Sequence, residues 1–393
     1  MATVLCFSTV DWDYLWHRPQ AVMSSLAQDG HKILYVDTIG LRSPRLQDAG
    51  RVLTRLLNRA RGGLRGTSRP HPGIQVVSPI LLPWLDSRLV RRVNVVLLVR
   101  RLRRLLHGVD RRDLMIWVYL PTATVLACVE RLPHHLLVYE AIDALESNPA
   151  GVSLDYTRSE RTLLARADLV LATSPALFEA KTAHNANTHF VPPGVAGTFF
   201  ADAVVDAGGE ATAGILPPEL AGIDRPRVGF FGTIDHRLDL DLVRNLARRH
   251  PDWSFVLIGP ARCDVNSLSA ATNVHLLGPL PHVRLVPYLR QMDVFLLPYV
   301  VDDFTRAVYP AKIYECLALG QPVVATRLPS LEEKEFAGLV HLAVDQGEFE
   351  AALEAALAED DPALAARRRE RARENSWEAR YRQIQTLVGA AGG

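Results

Sequence analysis

Short apolar segments alternate with segments of helical spacing along most of this chain. Residues 4–7 form an apolar run short enough for a buried strand, residues 18–28 carry Pro19 in a first helical turn, and residues 32–37 form the next strand. Strands joined through a helix run parallel, and parallel sheets bind ligands at the carboxyl ends of their strands. The alternation continues to residue 191 and restarts at residue 227. The sequence therefore predicts an α/β protein with two doubly wound parallel sheets.

The interruption between the two alternating halves gives the domain boundaries. Pro192-Pro193-Gly194 breaks the pattern, and residues 201–226 are rich in Ala, Gly and Pro without periodicity. We predict a first domain over 1–195, a linker over 196–226, a second domain over 227–376, and a terminal helix over 377–393 that crosses back to the first domain. The dinucleotide fingerprint G-x-G-x-x-G is absent after both first strands, which argues against a nicotinamide or flavin enzyme.

Cysteine usage and hydropathy predict the compartment. The four cysteines are scattered without metal-ligand spacing, which fits a reducing cytoplasm. No signal-type segment opens the sequence, and no apolar stretch reaches the roughly 18–20 residues that span a bilayer. We expect a cytoplasmic protein that is at most peripheral to the inner face of the membrane.

A strongly basic region occupies residues 42–112, with 17 arginines, no lysine and only three acidic residues. Helical spacing predicts helices over 52–64 and 89–106 within it. The expected apolar side of the second helix comprises Leu89, Val93, Val96, Leu97, Leu98, Leu102 and Leu105. Such a stretch can lie on an anionic membrane, and the alternative is a solvated basic face. Nucleic-acid binding is not predicted, because aromatic interleaving and known motifs are missing.

Residues 310–326 combine a short helix, a stop at Gly320 and a buried strand over 323–325. Lys312 and Glu315 are three residues apart, on one face of the first turn. A helix N-terminus carries about half a positive unit charge, so a cation and a carboxylate there suit a phosphorylated ligand that also bears hydroxyls. The alternative is a surface Lys–Glu pair on an ordinary helix.

Four motifs of the second half resemble the donor domain of GT-B glycosyltransferases: VGFFGT at 228–233, WSFVLIGP at 253–260, DVFLLP at 293–298, and PAKIYECLALGQPVVA at 310–325. The chain is similar to group 1 glycosyltransferases of the bacterial teichuronic-acid-biosynthesis type, which share the Arg18-Pro19-Gln20 sequence after an aromatic loop. This resemblance implies two Rossmann-like doubly wound parallel-sheet domains facing an interdomain cleft. It also implies that the first domain binds an acceptor and the second an NDP-sugar.

The resemblance assigns donor residues position by position. Lys312 corresponds to the lysine that binds the nucleotide diphosphate, and Glu315 to the glutamate that binds the ribose hydroxyls. Gly232 and Thr233 can add backbone N–H groups to an anion nest, and Arg237 a further positive charge. Many retaining relatives have a glutamate eight residues before this one, where the present chain has Ala307. The sugar-side contacts are therefore expected from nearby residues: Asp302, Asp303 or Arg306.

The acceptor side is expected in the first domain. Asp143 follows a strand there and is the first candidate for a base or acceptor-orienting group, the alternative being a turn or capping aspartate. His17 is the second candidate for the base, and Trp16, His17 and Arg18 are expected to contact the acceptor. We expect no metal and no cofactor besides the NDP-sugar. Asp11-Trp12-Asp13 has the letters of a metal-binding DxD motif, but it lies in the acceptor domain.

The predicted function is transfer of a sugar, as in hexosyltransferases, from an NDP-sugar to an acceptor hydroxyl. The expected acceptor is a glycan, a lipid-linked sugar or a small metabolite, in cell-surface polysaccharide or secondary-metabolite biosynthesis. One alternative is a sugar-nucleotide epimerase on the same fold. The other is a catalytically degenerate GT-B protein that binds a sugar nucleotide or a partner without turnover, and Ala307 is the feature that favours it.

Overall fold

The computed structural model describes residues 1–13, 17–39, 67–79, 81–82, 87–144, 147, 156–200, 216–268, 271–281 and 284–392. The chain forms two compact units. The first comprises Met1–Pro192 together with Tyr381–Gly393, and the second comprises Pro193–Arg380.

The strands of the first unit are β1 Thr3–Phe7, β2 Lys32–Val36, β3 Thr67–His71, β4 Ile74–Val77, β5 Leu114–Val118, β6 Leu136–Ala141, β7 Leu169–Ala172 and β8 Thr188–Phe190. Its helices are α1 Arg18–Gln28, α2 Arg88–Leu105, α3 Ala123–Val129, α4 Tyr156–Leu164 and α5 Pro175–Thr182.

These eight strands form one sheet in the order β3-β4-β2-β1-β5-β6-β7-β8. Strand β3 pairs antiparallel with β4, and every other pairing is parallel. The direction of winding reverses between β1 and β5, so helices cover both faces and the central strands are buried almost without break. One side of the sheet packs on α2, α3 and α4 through a continuous apolar core.

The strands of the second unit are β9 Arg227–Phe231, β10 Ser254–Ile258, β11 Val274–Gly278, β12 Val294–Leu297, β13 Val323–Thr326 and β14 His341–Ala343. Its helices are α6 Leu240–Arg249, α7 Leu285–Leu289, α8 Asp303–Arg306, α9 Lys312–Leu319, α10 Gln346–Leu357 and α11 Pro362–Glu374. The last helix, α12 Trp377–Gly392, begins in the second unit and ends in the first.

The second sheet has the order β11-β10-β9-β12-β13-β14, and all of its pairings are parallel. This order is that of the classical dinucleotide-binding fold, with the reversal between β9 and β12. The predicted α/β class with two doubly wound parallel sheets is confirmed.

The predicted linker over 196–226 belongs, in its described parts, to the second unit. Tyr288 donates a hydrogen bond to Glu219 at 2.8 Å, and Arg227 donates to the carbonyls of Leu220 and Ile223. At the other end, the backbone N–H of Val195 donates to the Asn375 carbonyl at 3.0 Å. These contacts attach residues 193–200 and 216–226 to the body of the second unit.

In the basic region, the predicted apolar side of the second helix is wrong in part. Helix α2 is present, but the core takes Val95, Leu98, Val99 and Leu102, whereas Leu89, Val93, Val96 and Leu97 are 46 to 72% exposed. The helix has apolar residues on two sides, so its spacing alone does not tell which side faces the sheet. The helix predicted over 52–64 lies outside the described residues.

Candidate functional site

The reversal of winding in the second sheet places the ends of β9 and β12 side by side. Loops that leave two neighbouring parallel strands in opposite directions open a crevice, which is the usual ligand site of this fold. Cross-links between the two loops fix its walls. Asp239 donates its backbone N–H to the Pro298 carbonyl at 2.8 Å, and Val300 donates to the Arg237 carbonyl at 2.8 Å.

Gly232 is the first residue after β9, and the side chain of Lys312 lies against it. A Cβ at Gly232 would stand 2.0 Å from Lys312 Cε and 2.6 Å from its Nζ. The backbone at Gly232 has φ +117°, a conformation that side chains other than that of glycine rarely allow. Two predicted donor residues from distant parts of the sequence are therefore brought together.

A second glycine supports the same loop. The N–H of Gly232 donates to the Ile258 carbonyl at 2.8 Å, and a Cβ at Gly259 would lie 1.9 Å from the Gly232 oxygen. Gly259 in turn donates to the Gly278 carbonyl at 2.9 Å. The ends of β9, β10 and β11 are therefore in contact through backbone atoms of glycines, with no side chain between them. The sequence signal for Gly259 was its position at a strand end, in the WSFVLIGP motif.

Helix α9 begins at Lys312, with Glu315 in its first turn, and ends at Gly320 with φ +86°. Its buried side, which includes Ile313, Tyr314 and Leu317, holds it in the core, so both charged side chains are half-buried at one end. Burial raises the pKa of the Cys316 thiol, the Glu315 carboxylate raises it further, and Lys312 lowers it. An ammonium group beside a glycine loop and a carboxylate one turn later suit a diphosphate and a diol, respectively.

The loop after Thr233 carries the predicted Arg237, and this guanidinium is already engaged. Arg237 donates to both carboxylate oxygens of Asp235, at 2.6 and 2.9 Å for the two shortest contacts. Burial raises the pKa of Asp235, but the hydrogen bonds and charge of Arg237 outweigh it and leave that pKa lowered. The structure therefore gives Arg237 a role in shaping this loop.

Sequence reasoning missed His236. It is exposed between Asp235 and Arg237. Hydrogen bonds from Arg237 and Thr305 lower the pKa of Asp235 and Asp302, respectively, and an electrostatic interaction with His236 adds to both shifts. His236 therefore lies near the loop after β12 as well as its own. A histidine in the charged sequence IDHR directly after Gly232-Thr233 was the available signal.

The predicted sugar-side residues lie in the short helix α8 or at its N-terminal end. Asp302 caps this helix: its carboxylate accepts from the Thr305 N–H at 2.7 Å, and this hydrogen bond lowers its pKa. Asp303 and Arg306 are exposed on the helix, and Ala307 terminates it. Asp302 thus has a structural function, while Asp303 and Arg306 keep polar groups at the surface next to the crevice.

In the first unit, Arg18 is buried and does not present its guanidinium for the predicted acceptor contact. It forms an ion pair with Glu140, which is fully buried, and donates to the Pro192 carbonyl at 2.9 Å. Trp117 donates to the other Glu140 oxygen at 2.8 Å. A charge needs such partners when it leaves water, so the Arg-Pro-Gln motif anchors the start of α1 to β6.

That anchor places two other predicted residues at one edge of the sheet. His17 is exposed directly before Arg18, and its N–H donates to Gln20 at 3.1 Å. Asp143 is half-buried two residues after β6, which contains Glu140. Both follow the carboxyl ends of strands, as a base at a ligand site requires. Trp16 lies outside the described residues.

One group of potential metal ligands occurs among the described residues searched: His250, Glu350 and Glu354, with ligand atoms within 4.8 Å of one another. Arg249 already donates to both Glu350 oxygens at 3.0 Å, and His250 contacts Glu350 at 2.7 Å. The Arg249 guanidinium and the His250 ring therefore already occupy the Glu350 carboxylate, and the group lies beyond the end of α6. We do not assign it to the site.

The architecture is that of GT-B glycosyltransferases. The structure is similar to a sucrose-phosphate synthase from Thermosynechococcus elongatus, with a TM-score of 0.70 and 17% identity over 99% of both chains. It is also similar to a UDP-forming trehalose-phosphate synthase from Burkholderia vietnamiensis, with a TM-score of 0.66 and 16% identity over 99% of this chain and 97% of that one. Anabaena HepE, solved in complex with UDP and glucose, gives a TM-score of 0.65 at 16% identity over 99% and 100% of the chains. These likenesses show the fold, as predicted.

The amino-acid sequence of the second unit is similar to known glycosyltransferases. Residues 225–359 match the family described as glycosyl transferases group 1. The chain is 32% identical over 169 residues to TuaH of Bacillus subtilis (strain 168), described as a teichuronic acid biosynthesis glycosyltransferase. This match covers 41% of the present chain and 43% of TuaH, so the chain spans less than half of that relative. Residues 225–359 are therefore similar to a group 1 glycosyltransferase domain, and the predicted resemblance is confirmed.

Proposed function

We propose that this protein transfers a sugar from an NDP-sugar to an acceptor hydroxyl. The observation that carries the proposal is the packing of Lys312 against Gly232 at the point where the second sheet reverses its winding. Glu315 follows one turn along the same helix. The group 1 glycosyltransferase match covers all three residues.

The proposed donor contacts follow from the chemistry of each group. Lys312 would neutralise the diphosphate as it leaves, assisted by the N-terminus of α9 and the backbone at Gly232 and Thr233. The Glu315 carboxylate would accept hydrogen bonds from two ribose hydroxyls. Asp303, Arg306 and the exposed His236 are the groups available toward the sugar. A preorganised positive site for the leaving group lowers the barrier without any cofactor besides the nucleotide sugar.

The acceptor side rests on Asp143 and His17. An acceptor hydroxyl becomes a better nucleophile when a carboxylate or imidazole takes its proton during attack. We propose Asp143 as this base or as an acceptor-orienting group, with His17 as the second candidate. Both follow strand ends of the first sheet, and α1 is anchored beside them by Arg18 and Glu140.

The substrate class and location are also proposals. TuaH is described as a teichuronic acid biosynthesis enzyme, which supports a role in cell-surface polysaccharide assembly, with secondary metabolism as the other setting. The acceptor would be a glycan, a lipid-linked sugar or a small metabolite. All four cysteines are free thiols, which fits the proposed cytoplasmic location. No helix among the described residues is long and apolar enough to span a membrane. We propose peripheral contact with the membrane through the basic region, because its arginines can pair with anionic lipids.

Binding of UDP to the Lys312→Ala variant tests the donor site by calorimetry. Hydrogen bonds to charged groups contribute about 1.5–3 kcal/mol, so we expect the affinity to fall about 10- to 100-fold. Lys334→Ala is the matched control, because Lys334 is an exposed lysine of the same unit outside the site. Equal UDP affinity in Lys312→Ala and wild type contradicts the site.

A panel of NDP-sugars separates transfer from the two alternatives. A transferase releases nucleotide only when an acceptor is present. An epimerase converts the donor sugar without releasing nucleotide. A degenerate protein, the alternative that Ala307 favours, binds donor and changes nothing. Acceptor-dependent nucleotide release that disappears in Lys312→Ala supports the proposed reaction.

A further inference from the structure

Helix α2 has one apolar side buried in the core of the first unit and a second apolar side exposed to solvent. Val95, Leu98, Val99 and Leu102 are at most 5% exposed and fill the core beside the sheet. On the opposite side, four further large apolar residues stay in solvent: Leu89, Val93, Val96 and Leu97, which are 72, 47, 46 and 50% exposed. Their spacing of three and four residues places them on one side of the helix.

The same exposed side continues as a row of arginines. Helix α2 contains seven arginines in 18 residues and no acidic residue or lysine. Five of these arginines are exposed: Arg88, Arg92, Arg100, Arg103 and Arg104. Arg100 and Arg104 follow Val93, Val96 and Leu97 at helical spacing, so apolar and cationic side chains form one continuous strip. We call the six exposed residues on this side the α2 strip: Leu89, Val93, Val96, Leu97, Arg100 and Arg104.

A helical C-terminus attracts cations, which accounts for Arg103 and Arg104. It does not account for Arg88 and Arg92 at the other end, where the helix dipole disfavours positive charge. Nor does it account for four exposed aliphatic residues over three turns. Scattered exposed apolar residues are ordinary, whereas a contiguous group bordered by charge of one sign marks an interaction surface.

We propose that the α2 strip binds the surface of an anionic phospholipid membrane, with helix α2 lying in the plane of the lipid headgroups. The aliphatic side chains would enter the boundary between headgroups and acyl chains, and the arginines would pair with lipid phosphates. A helix of this length presents about 27 Å of surface, enough for several headgroups. This inference rests on the membrane contact in the proposed function and specifies the surface and the lipid class. It suits an acceptor that is itself attached to a lipid.

Co-sedimentation with vesicles tests the proposal, using the full chain and vesicles in which one lipid in three is phosphatidylglycerol, the rest being phosphatidylcholine. Two variants address the two halves of the strip. The apolar variant carries Leu89→Gln, Val93→Gln, Val96→Gln and Leu97→Gln. The charge variant carries Arg100→Gln and Arg104→Gln. All six side chains are exposed, so the fold should persist, and circular dichroism checks it.

We expect wild type to bind the anionic vesicles and to leave pure phosphatidylcholine vesicles in suspension. Each basic residue near the surface contributes about a fivefold gain in partitioning, so the charge variant should bind at least about tenfold more weakly. The apolar variant should lose a similar factor without any change of charge. Arg158→Gln with Arg161→Gln, two exposed arginines of α4, is the charge-matched control and should bind as wild type does.

Three results would overturn the proposal: no binding of wild type to anionic vesicles, equal binding to neutral vesicles, or equal loss in the α4 control. Tight binding to duplex DNA that the apolar variant leaves unchanged would assign the strip to nucleic acid instead. UDP affinity is measured in parallel on every variant. Wild type that binds anionic vesicles but not UDP contradicts the donor site alone. Wild type that binds UDP but not anionic vesicles contradicts the membrane surface alone. The α2 variants should keep the UDP affinity of wild type while they lose vesicle binding.

Discussion

At the scale of single residues, the candidate donor site depends on the absence of a Cβ atom at Gly232. The aliphatic part of Lys312 occupies the volume where a Cβ would stand, and the glycine backbone has φ +117°. Lysine is flexible, so its position here is determined by the shape of the loop against which it packs. The loop at Gly232 and the Lys312 side chain therefore depend on each other, and a substitution at either residue tests the site.

We expect Gly232→Ala to weaken UDP binding about tenfold or more, since the methyl group displaces Lys312 and strains the loop by about 1–3 kcal/mol. Gly338→Ala is the control: Gly338 has φ +69°, but no atom lies within 4 Å of its added Cβ. Both variants share the backbone cost, which thermal unfolding measures. Only Gly232→Ala should lose UDP affinity by calorimetry, and similar affinities in the two variants would show that the Lys312 packing is unimportant.

A buried ion pair makes the stability of the second unit depend on pH. Arg368 is 1% exposed, donates to the Leu339 carbonyl at 2.9 Å and pairs with both Glu359 oxygens. The hydrogen bonds from Arg368 hold the pKa of Glu359 below its usual value, against the opposing effect of burial. A carboxylate with a lowered folded pKa stabilises the protein above its unfolded pKa of about 4.3 and loses that stabilisation as the pH falls through the folded value.

Glu359→Gln should therefore lower the free energy of unfolding by about 3 kcal/mol at neutral pH, because a buried charge loses its partner. The difference from wild type should shrink as the pH falls from about 4.3 through the lowered folded pKa of Glu359, where folded wild type also loses the charge. Urea unfolding at several pH values measures both effects. Glu374→Gln breaks the exposed pair with Arg371 and should cost less than about 1 kcal/mol at every pH.

At the scale of elements, helix α2 packs one of its two apolar sides on the sheet and leaves the other exposed to solvent. Leu98 is 2% exposed within the core, whereas its neighbour Leu97 is 50% exposed. Leu98→Ala should lower the free energy of unfolding by about 2–5 kcal/mol, and Leu97→Ala should change it by less than about 0.5 kcal/mol. Chemical denaturation of the two variants measures the difference. Equal effects would contradict the orientation of the helix.

The elements themselves could be predicted from the sequence, because strand runs, helix starts and Gly320 are local signals. Their orientation could not. Leu98 and Leu97 are the same residue type at adjacent positions, and only packing on the sheet distinguishes them. Lys312 and Glu315 were identified through a motif. The burial of Arg18 and the pairing of Arg237 depended on Glu140 and Asp235, which no spacing rule connects to those arginines as partners.

At the scale of the whole molecule, the proposed donor residues and the proposed base belong to different units. Lys312 and Glu315 lie within Pro193–Arg380, while Asp143 and His17 lie within Met1–Pro192. Each unit has its own sheet and core, so a substitution at the site of one unit should leave the other unit folded. Donor binding and turnover can therefore be separated by substitutions in the two units.

Asp143→Asn should keep UDP affinity within a factor of about two while lowering kcat by about 100-fold or more at saturating donor, because a general base contributes about 10²–10⁴ in rate. Lys312→Ala should lose UDP affinity and turnover together. The amide introduced by Asp143→Asn has nearly the same shape as the carboxylate but accepts no proton, so the loss should not be reduced by raising the pH. His17→Asn gives the comparison: if it loses kcat while Asp143→Asn turns over at the wild-type rate, the histidine is the base and the assignment of Asp143 is wrong.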